Sequence, residues 1–157
     1  MDGAVARRLD ELGIVLPAPF GPVGEYDAAA RVGDLLFLSG TGPVRADGGL
    51  VTGKVGADLD LDEAREAARL TGLQILAMLA DQLGSLDRVV RVVKLFGVVN
   101  TAPGFHRAPA VIDGCSQLLV EVLGPSGRGA RSAIGVAELP FDIAVEIEAV
   151  VQIADAP

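Results

Sequence analysis

From Ala144 to Ile153 the chain alternates: Val145, Ile147, Ala149, Val151 and Ile153 fall on one face, Glu146, Glu148 and Gln152 on the other. That period of two predicts a strand buried on one side. Just upstream, a second predicted strand puts Arg131, Ala133, Gly135 and Ala137 on a shared face and sends Ile134 and Val136 toward the core. Leu139-Pro140 makes the tight connection between them. The polar face expected from this pair carries a cation, two carboxylates and three very small residues, which leaves room for a ligand or a partner subunit.

Asp2 to Leu12 spaces Val5, Leu9 and Leu12 for a short amphipathic helix that Gly13 stops. Ile14 to Gly24 holds Pro17, Pro19 and Pro22 and is expected to be an extended arm, because proline lacks an amide donor and fixes φ. Glu25 to Arg31 and Leu35 to Thr41 predict a hairpin around Val32-Gly33-Asp34, the second strand apolar and therefore central. Asp47-Gly48-Gly49 signals a turn, with a short edge strand at Leu50-Val51. Asp60 and Glu63 have capping-box spacing and open a helix that runs to Leu83 and ends at Gly84. Arg88 to Val99 predicts a long strand buried on both faces. A second helix is expected from near Phe105 through Val111, Ile112, Cys115, Leu118 and Val122 to Gly124, then a loop over Ser126 to Gly129. This order is α+β: two helices on one face of a mixed sheet of five or six strands, with the opposite face uncovered and holding Arg131 and Glu146.

Composition narrows the function classes. A chain of 157 residues predicts one domain over 1–157, with a helix and arm at 1–24 and a core at 25–153. The formal charge of -8 argues against nucleic-acid binding, which depends on Lys and Arg displacing counterions. Cys115 is the only cysteine, so no internal disulfide and no Cys-based zinc site is expected. Neither a signal-peptide pattern nor an apolar run long enough to span a bilayer is present, which makes a cytoplasmic location the default. A mean hydropathy of +0.45 favours an oligomer.

Arg131-Ser132-Ala133-Ile134-Gly135-Val136-Ala137-Glu138-Leu139-Pro140 followed by Val145-Glu146-Ile147-Glu148-Ala149 resembles the C-terminal signature of the RidA/YjgF family of reactive enamine/imine deaminases. Two upstream segments agree in order and spacing: Tyr26 leading through Val32-Gly33-Asp34 to Ser39-Gly40, and the amphipathic run ending Leu83 to Val90. The resemblance covers about Glu25 to Ile153, and only the combination is specific. It implies a chorismate-mutase-like fold in which three subunits pack their uncovered sheet faces into a barrel with clefts between them. It also implies hydrolysis of 2-enamine or 2-imino acids to 2-keto acids and ammonia, with no cofactor.

Each candidate residue has a plainer alternative. A guanidinium matches a carboxylate bidentately, and the resemblance assigns Arg131 to the substrate's acid group; the alternative is a salt bridge to Glu146 or Glu148. Glu146 takes the place of the family's water-orienting glutamate, against an uncommitted carboxylate on a solvated face. Tyr26 matches a pocket tyrosine or is an ordinary sheet-edge tyrosine. Ser39 and Gly40 match the pocket floor or simply end a strand. Phe105 and Ala133 complete the expected substrate-contacting set. Three departures stand out: Ala133 where deaminases typically have cysteine, Thr41 where many relatives have glutamine, and a longer connection at Asn100 to Gly104. They bring in a rival reading, a non-catalytic binder of a carboxylate metabolite. RNA cleavage is a weaker alternative for an acidic chain with one histidine. His106 is expected to have no role, Cys115 to be buried filler, and Asp58, Asp60 and Asp62 to be a helix start rather than a calcium loop.

Overall fold

The computed structural model describes residues 3–154, so Asp2 of the expected first helix lies outside it. In chain order the elements are helix α1 (Ala4–Glu11), strands β1 (Ala29–Val32) and β2 (Leu35–Thr41), helix α2 (Leu61–Leu83), strand β3 (Val89–Asn100), helix α3 (Ala108–Leu123), and strands β4 (Ala130–Val136) and β5 (Val145–Ile153). The predicted capping box forms at the head of α2. Asp60 Oδ1 accepts from the Glu63 amide at 2.9 Å, and Glu63 Oε2 accepts from the Asp60 amide at 2.8 Å. Two donors left open by the first turn are thereby satisfied. Gly84, at φ 72°, closes the helix in the left-handed conformation a glycine adopts without cost. The second helix starts at Ala108 rather than Phe105, with Pro109 in the first turn, where its missing donor would be unpaired in any case.

The strands form one sheet in the order β1-β2-β5-β3-β4, all neighbours antiparallel except β3 and β4. α2 packs on α3, β5 and β2, and α3 packs on β3 and β4. The core lies between these helices and the buried sheet face that carries Val92, Leu95, Val99, Val145, Ile147 and Val151. Two glycines permit that closeness. A Cβ on Gly114 would stand 2.0 Å from the Arg65 carbonyl oxygen on α2, and one on Gly97 would stand 2.6 Å from Ile112 of α3.

Several sequence expectations are corrected here. β4 and β5 do not form a hairpin. β3 lies between them, so Val98 pairs with Ile134 on one side and with Glu146 on the other. The expected facing of β4 is also reversed. Arg131 and Ala133 pair with Leu95 and Gly97 and therefore look to the helix side, while Ile134 is 45% exposed on the uncovered face. Glu146 and Arg131 accordingly lie on opposite faces of the sheet. The first strand is shorter than expected, because Glu25 to Ala28 are irregular, and Leu50 makes only an isolated bridge to Val44. Val90 is substantially exposed, so β3 is not buried on both sides, whereas β2 is internal as expected, between β1 and β5. Gly124–Gly127 forms a 3₁₀ turn rather than open loop.

Candidate functional site

Glu146 sits where β2 is irregular. The register of β2 against β5 shifts between Leu38 and Thr41, and Gly40, inside that shift, lies directly beneath the Glu146 carboxylate. A Cβ on Gly40 would be 2.2 Å from Glu146 Oε1, so only glycine leaves room for the carboxylate there. Burial holds the Glu146 carboxyl above the usual carboxylate range, and the neighbouring negative charge of Glu148 adds to the shift.

Tyr26, Ser39, Gly40, Thr41 and Glu146 line one cavity of about 580 Å³. The arm between α1 and β1 forms part of its wall, anchored where the Phe20 amide donates to Oε1 of the buried Gln74 at 3.0 Å. Hydrogen bonding sets what each hydroxyl can offer a ligand. Ser39 donates its proton to the Asp27 carbonyl at 2.7 Å and can therefore only accept. Tyr26 accepts the Val23 amide at 3.3 Å and keeps its own proton to give. Thr41 Oγ1 is buried and has no hydrogen-bond partner among the described residues. No Lys, Arg or His lines this cavity.

Phe105 and Ala133 line a different cavity, of about 770 Å³, with Lys54, Thr101 and Gly135 on its wall. Arg131 lines neither. Its Nη1 donates to Asp113 Oδ1 at 2.8 Å and to Ser116 Oγ at 3.0 Å, and its Nη2 donates to the Pro109 carbonyl at 3.2 Å. The plain alternative of a salt bridge is thus what the guanidinium makes, but with α3 rather than with Glu146 or Glu148. The candidate residues divide into two groups on one chain: Tyr26, Ser39, Gly40 and Glu146 in one place, Phe105 and Ala133 in another, with Arg131 tied down on the helix side.

A family profile described as "YjgF/chorismate_mutase-like, putative endoribonuclease" matches residues 6–148. The chain belongs to the YjgF/chorismate-mutase-like family. It is 44% identical to Protein TCP17 of Trypanosoma cruzi over 152 residues, which cover 96% of this chain and 95% of that one. The crystal structure of Atu1372 from Agrobacterium tumefaciens, a protein described as of unknown function, superposes with a TM-score of 0.88 at 42% identity, covering 96% of this chain and 92% of the other. Escherichia coli TdcF, solved with bound serine, superposes with a TM-score of 0.61 at 25% identity, covering 89% and 96%.

Within this YjgF-type fold, three hydrogen-bonded polar residues run from Lys54 on the wall of the Phe105 and Ala133 cavity to the turn at the rim of the Glu146 cavity, and sequence reading gave none of them a role in the site. Asn100 is completely buried. Its Oδ1 accepts from Lys54 Nζ at 3.0 Å and its Nδ2 donates to Asp142 Oδ1 at 2.9 Å. Asp142 and Phe141 both have left-handed backbones, with φ 55° and 57°, in the turn Pro140–Asp142 that rims the Glu146 cavity. Non-glycine residues in that region cost on the order of 1–3 kcal/mol each. The readable signal was Asn100 itself, an amide ending the apolar run of β3. The remaining candidates take ordinary places. His106 is exposed, and Asp58 accepts from the Lys54 amide at 2.8 Å. Cys115 is fully buried, which pushes its thiol up to about 12. Among the described residues no group of three His, Cys, Asp or Glu side chains could hold a metal, and no helix is long and apolar enough to cross a membrane.

Proposed function

We propose that this chain hydrolyses reactive 2-enamine or 2-imino acids to 2-keto acids and ammonia, in sites completed between copies of the chain in a homotrimer. The observation that carries the reading is Glu146. It is a half-buried carboxylate with a raised pKa, seated over Gly40 in a cavity that also presents Tyr26 and Ser39. A carboxyl held above its ordinary range is a stronger base than a free one, suited to accept a proton and return it. The enamine first gains a proton at carbon while its nitrogen loses one, which gives the imine. Glu146 then removes a proton from a bound water as the water oxygen bonds to the C=N carbon and the π electrons move to nitrogen. Glu146 passes that proton to the nitrogen and then carries the hydroxyl proton to it as well, so that the C–N bond breaks and ammonia leaves as the C=O forms. No redox partner enters this balance.

The separation of the two residue groups supports a site shared between copies. Arg131 and Glu146 are on opposite faces of one sheet, and Phe105 and Ala133 line a cavity of their own, so a shared site needs a neighbouring copy. Arg131 has two of its five N–H donors left, because three are already engaged with α3. The bound serine of TdcF is in line with a small amino- or imino-acid ligand.

The test is ammonia release from 2-iminopropionate generated in situ. Glu146→Gln is expected to lose about 100-fold or more of the rate, the usual size of a general-base contribution. A wild type no faster than Glu146→Gln would sink the reading. The second reading, a non-catalytic binder of a small carboxylate, is favoured by Ala133, which supplies no thiol, and it predicts binding without ammonia release. RNA cleavage, which the family's description carries, is disfavoured by the formal charge of -8.

A further inference from the structure

Arg131 offers hydrogen-bond donors to the β4 side of the molecule but no net charge, because Asp113 compensates it at 2.8 Å. Among the described residues, the cation without an ion-pair partner in the Phe105 and Ala133 cavity is Lys54. Its Nζ donates to Asn100 Oδ1 at 3.0 Å and to the Ala137 carbonyl, and among the described residues it makes no ion pair. An ammonium has three N–H donors, so two are spent on neutral oxygens while the third and the whole charge remain. Glu138, on the same wall, is exposed and makes no ion pair with it.

The ammonium is also held in place in advance. Asn100 is fixed on every side: its amide donates to the Ala144 carbonyl at 2.9 Å, its carbonyl accepts the Val55 amide at 2.8 Å, and its Nδ2 donates to Asp142 at 2.9 Å. A lysine already ordered by such a partner gives up little further side-chain freedom when it binds an anion. Small residues keep the space before it clear. A Cβ on Gly135 would lie 2.7 Å from Thr101 Oγ1, and Ala133 ends at its methyl.

We propose that Lys54 is the charge that holds the carboxylate of a small 2-keto or 2-imino acid in this cavity, with Asn100 as the residue that positions it. The proposal rests on the small-acid reading above and assigns the acid grip a residue outside the expected site. Calorimetric titration of the full chain with 2-oxobutyrate and with the neutral 2-oxobutyramide separates charge from shape. Wild type is expected to prefer the acid by at least ~10-fold, a step of about 1.4 kcal/mol. Lys54→Gln keeps donors for Asn100 and Ala137 but removes the charge, and should bind acid and amide alike. Lys54→Arg should restore most of the preference, and amide binding reports that each variant is folded. A wild type without acid preference, or a Lys54→Gln variant that retains it, overturns the proposal. Failure of the deaminase reading would appear elsewhere, as no ammonia release by wild type, and would leave this binding comparison intact.

Discussion

Glu146 shows how the seating of a carboxylate depends on what its neighbours lack. Gly40 lacks a side chain, and the carboxylate occupies that space. Gly40→Ala is therefore expected to displace Glu146 and lower ammonia release at least ~10-fold, at a stability cost of no more than about 1 kcal/mol; steady-state kinetics and urea unfolding separate the two. Glu148 helps to raise the Glu146 pKa, after burial. Glu148→Gln should therefore shift the acid limb of the kcat/KM profile to lower pH. The same shift has a stability consequence with a definite sign. Because the folded-state pKa lies above the ordinary 4.5, the native state binds more protons than the unfolded state between those values. The favourable contribution of this group is full below the unfolded pKa and is lost as pH rises through the folded one. Glu146→Gln should accordingly raise Tm relative to wild type at pH 7 and show no such gain at pH 3.5.

At the scale of elements, the close approach of α2 and α3 rests on Gly114. Its missing Cβ would fall 2.0 Å from a backbone oxygen, which cannot move aside as a flexible side chain could. Gly114→Ala is expected to cost about 3 kcal/mol, the upper end of overpacking, and to show as a lowered urea midpoint at unchanged m. α3 is held to β4 by Arg131, whose ion pair with Asp113 is partly exposed, with 24% and 43% of the two side chains accessible. Such a pair contributes about 1 kcal/mol at most, so its main effect is to orient the guanidinium. The connection from β3 through α3 to β4 also explains why two strands separated by a short turn are not partners. A crossover helix delivers β4 parallel to the outer edge of β3, and β5 then returns to the other edge of β3.

For the whole molecule, the uncovered sheet face carries exposed Val32, Phe37, Val90 and Ile134 beside Glu146 and Glu148. Under the homotrimer proposal these apolar groups are the contact between copies. Light scattering is expected to give ~48 kDa, three chains of 16.1 kDa, and Ile134→Glu should lower it to a single chain with loss of ammonia release. The sequence by itself determined the elements and their alternation. The capping box at Asp60 and Glu63, the period of two in β5 and the apolar stripe of α2 are local consequences of backbone geometry, each legible over a few residues. The division of the expected site was not legible. Alternation says that Arg131, Ala133 and Gly135 share a face but not which face, since a strand turned over keeps the same period. That choice was made by α3, which draws Arg131 to Asp113 and Ser116 and leaves Ile134 outside. Strand adjacency, the bulge that seats Glu146 over Gly40, and the meeting of Lys54, Asn100 and Asp142 join residues far apart in the chain, and only their packing in three dimensions decides them.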